Sequence, residues 1–392
     1  MMNFRHLFKL IWNRRKMNLL MIIEIFISFI VLFILVQSLV KFAFYYSEQL
    51  GFNYKNVWNL EINTNNVSDE IGRQEMELIK NELRSFPEIV NFSEAFNIPY
   101  TSLSITTNID YNGKTISNNL LLADDNYADV LEIELVEGRW FNEADNASAH
   151  EPVIINKKFK EALFPDVSAI GKTLQQKENI REIIGVIDQI KKRGELNDYG
   201  KILFKRINPH NPKSWLGENL LIKVKVGTGI EFEEKLMRRL SLVSKNFSLE
   251  MISMEDMRER AFTKYTSVAY IFGFVCIFLV VNVALGLFGV LWYNINFRRS
   301  EIGLRRTVGS TAPKIYQQII GETLILSTFS IIIGSFFVLN LKILITNFLR
   351  TDIFYTSYFV TVFIIYLITA ICAFYPSKLA AEIEPAETMH YE

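Results

Sequence analysis

Apolar positions are spread unevenly along the chain. Four long runs stand out: 17–40 (MNLLMIIEIFISFIVLFILVQSLV), 265–297, 323–341 (TLILSTFSIIIGSFFVLNL) and 353–375 (IFYTSYFVTVFIIYLITAICAFY). Glu24 alone interrupts the first, and the second holds no charged residue. A helix needs about 20 mostly apolar residues to cross a bilayer. A buried helix of a water-soluble protein rarely sustains that length without charge, so all four runs predict transmembrane helices. The first run has a basic flank like that of a signal peptide. Its apolar stretch is too long for one, however, and KFAFYYSEQL after it offers no small-residue cleavage site, so a retained anchor is expected.

Residues 41–264 show shorter periods. VWNLEI at 57–62 alternates like a strand. DEIGRQEMELIKNELRSF at 69–86 places Ile71, Met76, Ile79 and Leu83 near helical spacing, with Ser68 as a cap and Pro87 as a stop. A strand at 89–96 follows. The pattern returns at 219–226 (strand), Gly229 (turn), 230–243 (amphipathic helix) and 247–252 (strand). Roughly 110 residues separate these two βαβ-like units, which predicts a split α+β subdomain with a strand-rich insertion. The insertion carries GRWFNEAD at 138–145, PVIIN at 152–156, ALFP at 162–165, IGKTL at 170–174 and REIIGVID at 181–188, which read as strands, turns and one short helix.

Charge sets the orientation. Lys+Arg and Asp+Glu both total 42, which argues against a general nucleic-acid binder. The basic residues are segregated, however. Arg5, Lys9, Arg14, Arg15 and Lys16 precede the first run; Arg298, Arg299, Arg305, Arg306 and Lys314 fall between the second and third runs; only Lys342 and Arg350 fall between the third and fourth. The excess of basic residues on cytoplasmic loops then predicts both termini and the 298–314 connector in the cytoplasm, with 41–264 outside it. The expected organisation is a cytoplasmic segment 1–16, helix 17–40, an outer domain 41–264, helix 265–297, a cytoplasmic segment 298–316, helix 317–341, an outer loop 342–352, helix 353–376 and a cytoplasmic tail 377–392.

Catalytic chemistry is hard to find. The triplets Gly113-Lys114-Thr115 and Gly171-Lys172-Thr173 lack the earlier glycine of a phosphate-binding loop, since Asn108 and Asp166 hold that position. His6, His150, His210 and His390 are scattered, and Cys276 and Cys372 both lie in apolar runs, so no metal site, cofactor or disulfide framework is expected. Only Glu24 and Glu322 are ionisable within or at the edge of the spanning runs, whereas ion pathways usually carry charges near mid-membrane. The first run contains no glycine and so offers no notch for close helix approach.

The stretch RRSEIGLRRTVGSTAPKIYQQIIGETLIL at 298–326 resembles the signature of FtsX-like permeases, which would make 265–392 an FtsX-like permease domain. The tail YPSKLAAEIEPAETMHYE at 375–392 resembles that family's ending, through Tyr375, Pro376, Ala380, Ala381, Pro385, Tyr391 and Glu392. Lys378 and Glu382 depart from the arginines usual there. The ordered outer series GRWFNEAD, PVIIN, ALFP, IGKTL and IIGVID resembles the periplasmic core domain of MacB-type ABC transporters. The resemblance implies four transmembrane helices and a large α+β outer domain, with a porter-like βαβ half and an inserted sabre-like half. It implies a permease subunit that binds a separate ABC ATPase, pairs with a second permease chain (itself or a paralogue) in the bacterial inner membrane, and works with a periplasmic adaptor in some cases. ATP hydrolysis in the partner would drive movement of the outer domain, for efflux or for control of envelope processes. The residues expected at the ATPase contact are Arg298, Arg299, Glu301, Ile302, Gly303, Arg305, Arg306 and Gly309.

Local chemistry supports such a handle. Residues 300–308 can form a short helix with Ile302 and Leu304 apolar and Arg305 and Arg306 exposed. Gly309 can end it in a left-handed turn, and Thr311 and Pro313 suit the start of the next helix. The alternatives are a membrane receptor or regulator of cell-envelope enzymes without transport, and a membrane enzyme. The short cytoplasmic segments disfavour a receptor with its own output domain, and the missing catalytic constellation disfavours an enzyme.

Overall fold

The computed structural model describes residues 15–64, 67–101, 104–111, 113–176, 179–207, 218–344 and 350–381. The expected segment before Arg15, and Glu382, Pro385, Tyr391 and Glu392 of the tail, lie outside these residues. The chain divides into two compact units, Tyr45–Thr266 and a second made of Met1–Phe44 with Ser267–Glu392.

The second unit is helical. Its elements are α1 (Arg15–Ser47), whose last turn belongs to the first unit, and α6 (Met254–Phe297), which begins there. α7 (Arg299–Thr307), α8 (Ala312–Leu344) and α9 (Thr351–Ala381) complete it. α1, α6, α8 and α9 are long and apolar enough to span a membrane. Helices outrun their apolar stretches: α1 continues past Val40 to Ser47, and α9 runs through Pro376, which lacks the N–H for a helical bond. The bundle core is built from Ile25, Phe29 and Leu32 of α1 with Leu287 of α6, Val338 of α8 and Phe354 of α9. Several polar side chains inside it satisfy themselves on the helix backbone: Ser327, Ser330, Ser357 and Thr361 donate to the carbonyl four residues earlier.

The first unit is an α+β domain whose described strands form one eleven-stranded sheet. Its first part comprises β1 (Val57–Asn63), α2 (Asp69–Arg84) and β2 (Ile89–Phe96). Ser68 holds the cap position of α2 but makes no side-chain cap bond. The insertion follows as β3 (Ile105–Tyr111), β4 (Lys114–Ala123), α3 (Tyr127–Leu131), β5 (Leu135–Gly138), β6 (Glu151–Asn156), α4 (Lys157–Leu163), β7 (Thr173–Gln176), β8 (Asn179–Ile187) and β9 (Ile202–Arg206). The chain then returns through β10 (Asn219–Val224), α5 (Ile230–Val243) and β11 (Ser248–Ser253).

The two βαβ-like units interleave. The strand order is β11-β1-β10-β2, so β10 lies between β1 and β2, antiparallel to both, and β1 lies between β10 and β11. This is the split-βαβ arrangement of ferredoxin-like folds. Ile79 and Leu83 of α2 and Leu236 and Leu240 of α5 cover one face of the sheet, against Leu60, Leu220 and Ile222. At the far edge, β2 pairs with β4 through Ala95 and Phe96 and leads into the insertion.

The insertion closes on itself. β4-β3-β7-β8-β6-β9 are successive neighbours, and β9 pairs in parallel with β4. Closure removes two sheet edges that would otherwise present unpaired N–H and C=O groups. Alternation along the strands sends Ile109, Val153, Ile155, Leu174 and Leu203 into one cluster with Phe159 of α4. Ile154, Ile202 and Phe204 point to the opposite face, where they meet Leu221 of β10 and Tyr127 of α3.

Candidate functional site

α7 follows α6 after a single residue, Arg298. Ile302 is 4% exposed and packs with Ile295, Ile315 and Ile319, which fixes the apolar side of α7 against the end of α6 and the start of α8. Above that contact five side chains form a closed polar ring. Arg298, 10% exposed at its side chain, donates to both oxygens of Glu322 at 2.6 and 3.3 Å and lies 3.9 Å from Glu301. Glu301 pairs with Arg305 at 2.7 Å. Arg305 donates to Gln318 Oε1 at 2.8 Å, and Gln318 Nε2 donates to Glu322 Oε1 at 2.7 Å. Two guanidinium and two carboxylate groups balance within the ring. Charge-assisted, bidentate contacts of this kind are the stronger class of hydrogen bond and also set geometry.

This placement corrects the expected faces of α7. Arg305 is turned toward α8 with its side chain 30% exposed, where the sequence suggested an exposed arginine. Ile302 and Leu304, the two apolar residues of this helix, are two positions apart and diverge. Leu304 is 66% exposed, and with Val308 at 82% it forms an outward apolar pair one turn apart. Arg299 is exposed, Gly303 is buried, and the Arg306 side chain lies outside the described residues.

The end of α7 is built from a defined motif. Gly309 has φ +99°. Ser310 N donates to Arg305 O at 2.9 Å, the six-to-one bond of a Schellman cap with Gly309 in its left-handed position. Thr311 O accepts from Lys314 N and Ile315 N, so α8 starts at Ala312 with Pro313 in its first turn, where no N–H is needed. Of the tail residues, Tyr375 is exposed with its ring 6.1 Å from that of Phe288, Pro376 is buried, and α9 continues through Ala380 to Ala381.

The outer-domain motifs have structural duties. In GRWFNEAD, Arg139 pairs with Asp145, Asp145 Oδ2 accepts from Asn142 N at 2.9 Å, and Asn142 Oδ1 accepts from Ala144 N at 3.0 Å. Trp140 donates to Asp124 O at 3.1 Å and packs between Tyr127 and Phe204. Gly113 and Gly171 both lie in turns that lead into strands, with no helix N-terminus to receive a phosphate. Among the described residues no group of three His, Cys, Asp or Glu side chains could hold a metal ion.

Lys191, within the run Lys191-Lys192-Arg193, has a role that its sequence context does not signal. Its side chain is 0% exposed and pairs with Glu48 at 2.9 Å, donates to Tyr45 O and Glu195 O, and faces the rings of Tyr45 and Tyr199. It thereby ties the last turn of α1 to the loop after β8. Nearby, Tyr46 and Phe262 rings meet at 6.0 Å, so the extensions of α1 and α6 touch within this unit. Nothing in a KKR run separates a buried lysine from surface charge.

An α+β domain inserted between the first two of four helices long and apolar enough to span a membrane is the architecture of a multi-pass membrane protein with a large domain outside the bilayer. The MacB-like periplasmic core domain matches residues 18–226, more than half of the chain, and the FtsX-like permease C-terminal domain matches 270–385; the chain belongs to this MacB/FtsX family of ABC permeases. It is 21% identical over 284 residues to an uncharacterised ABC transporter permease, YvrN, of Bacillus subtilis, covering 69% of each chain. It is 22% identical over 302 residues to the macrolide export ATP-binding/permease protein MacB of Pasteurella multocida, covering 74% of this chain and 46% of that one. The chain therefore spans about two thirds of YvrN and less than half of that MacB. Among solved structures, the periplasmic region of MacB from Actinobacillus actinomycetemcomitans matches 55% of this chain and 96% of that one, at 18% identity and a TM-score of 0.38.

Proposed function

We propose that this chain is the membrane-spanning subunit of an ABC transporter whose ATP hydrolysis resides in a partner ATPase, and that α7 is where the two meet. The observation that carries the reading is the construction of α7. A nine-residue helix is locked to α8 through a closed ring of polar side chains, yet Leu304 within it and Val308 just after it stay bare. Bare apolar pairs on an otherwise anchored helix suit a groove on a partner. The ring residues Arg298, Glu301 and Arg305 would hold the handle stiff, and Leu304, Val308 and Arg299 would make the contact. Motion imposed on α7 then reaches the Tyr45–Thr266 unit through an unbroken helix, α6, which begins there at Met254. In this mechanotransmission reading, both termini and α7 lie in the cytoplasm and the Tyr45–Thr266 unit lies outside the inner membrane.

A second permease chain, a copy or a paralogue, would complete the unit. Its support is the coverage of α6, whose most apolar window is 17% buried against 44% for α1. The macrolide-export names of MacB relatives favour export over control of envelope enzymes as the use.

Affinity purification of the full chain from native membranes tests the reading. An ABC ATPase is expected in the eluate, and Leu304→Asp with Val308→Asp is expected to remove it while the chain still inserts. Retention of a fully active ATPase by that double variant would sink the assignment of α7.

A further inference from the structure

Within the Tyr45–Thr266 unit lies a cavity of about 480 Å³ lined by three cations, Arg193, Arg260 and Lys264, and by no acid. None of the three makes an ion pair among the described residues. The nearby carboxylates are otherwise engaged: Glu195 pairs with Arg258, and Glu255 accepts from Asn56 N at 2.8 Å. Tyr100 forms part of the wall. Its side chain is nine-tenths buried and its hydroxyl has no hydrogen-bond partner. Its backbone sits at φ +65°, an uncommon conformation for a bulky residue, held by Tyr100 N donating to Lys192 O at 2.8 Å. The remaining wall includes Ile252 and Met257, so the lining combines cations with apolar side chains.

Position along the chain says what such a cavity faces. Met257, Arg260, Lys264 and Tyr265 recur at helical spacing along one side of α6. Lys264 is the last charged residue before the uncharged run, and Tyr265 opens it. Lysine and tyrosine at that transition mark the level of lipid headgroups. An exposed cluster of cations there attracts anionic amphiphiles, and a buried unpartnered hydroxyl offers a hydrogen bond to a phosphate oxygen.

We propose that this cavity binds the phosphate headgroup of an anionic membrane lipid, with Arg193, Arg260 and Lys264 supplying charge and Tyr100 a donor. Phosphatidylcholine is disfavoured because its choline brings a cation toward three others.

The test uses the full chain in phosphatidylcholine nanodiscs doped with a photoactivatable phosphatidylglycerol, with adducts mapped by mass spectrometry. Labelling is expected on the peptides holding residues 97–101 and 257–265, displaced by unlabelled phosphatidylglycerol and not by phosphatidylcholine. Arg193→Gln, Arg260→Gln and Lys264→Gln together should lower it at least about tenfold, while Arg193→Lys with Arg260→Lys keeps it, which separates charge from shape. Labelling that survives the triple variant, or that a phosphatidylcholine probe matches, overturns the proposal. Displacement by inorganic phosphate as complete as by the lipid also overturns it, because the site would then hold a free anion.

Discussion

Lys191 and Glu48 pair at 2.9 Å with the lysine side chain fully buried, and that pair joins the last turn of α1 to the loop after β8. Taking an ammonium out of water is costly, and here the ion pair, two backbone carbonyls and two aromatic faces offset the cost. Lys191→Met keeps the volume and removes all of them, leaving Glu48 without its counter-ion and the Tyr45 and Glu195 carbonyls short of a donor. A loss of about 2–4 kcal/mol is expected. Hydrogen exchange on the full chain should show residues 45–49 losing protection ahead of β10. Unchanged protection there would mean that the anchor lies elsewhere.

The polar ring at α7 makes a second expectation. Glu322→Gln leaves Arg298 without its bidentate partner, although Glu301 remains 3.9 Å away. The cost should approach the lower end of the roughly 3–5 kcal/mol seen when a buried pair is broken. Exchanging the charges, Arg298→Glu with Glu322→Arg, should recover part of it. Thermal unfolding in detergent checks both variants, and an exchange no better than the single change would show that the ring does not act as a unit.

The ring also shows what a sequence makes legible. The four spanning helices were readable because lipid forces a long uncharged run, and the Gly309 turn because a left-handed position selects glycine. The pairing of Arg298 with Glu322 and of Arg305 with Gln318 was not, since each joins two helices across a turn and leaves no periodic trace. In the outer domain the local βαβ patterns were visible. The insertion of β10 between β1 and β2, and the parallel closure of β9 on β4, depend on contacts between strands far apart in the chain, which alternation cannot encode. The same limit hid Lys191, Tyr100 and the cationic cavity.

Asp124 gives the outer domain a pH signature. Burial pushes its carboxyl up to about 6, against hydrogen bonds from Ser93 Oγ, Glu94 N and Asn126 N that favour the charged form. The unfolded value is about 3.9. The folded protein therefore binds the extra proton between these two values, so this contribution to stability is complete below about pH 3.9 and is lost as pH rises through about 6. Asp124→Asn removes the titration. The stability difference, wild type minus Asp124→Asn, should fall by on the order of 1–3 kcal/mol from pH 4 to pH 6.5. Paired carboxylates such as Asp145 and Glu151 titrate alike in both proteins and cancel. A flat difference across that range would refute the assignment.

Close helix approach in the bundle rests on glycines outside α1. A Cβ on Gly286 of α6 would stand 1.9 Å from Glu24 Oε1, and one on Gly334 of α8 would stand 2.5 Å from Phe29 Cδ1. The shorter distance is the cheaper clash. Glu24 is partly exposed and its carboxylate can rotate away, whereas Phe29 is 0% exposed and its ring meets Tyr358 edge-on at 6.1 Å. Gly334→Ala should therefore cost about 1–3 kcal/mol, the usual range for overpacking a filled core, and Gly286→Ala less than about 1. Phe29→Leu should be harmful alone but should relieve Gly334→Ala, because the smaller side chain vacates the space the new methyl needs. Melting of the wild type and the four variants in one detergent, followed by size-exclusion of the soluble fraction, measures both the comparison and the cycle. Equal losses at the two glycines, or additivity of Phe29→Leu with Gly334→Ala, would mean that the α1–α8 contact is looser than a methyl group.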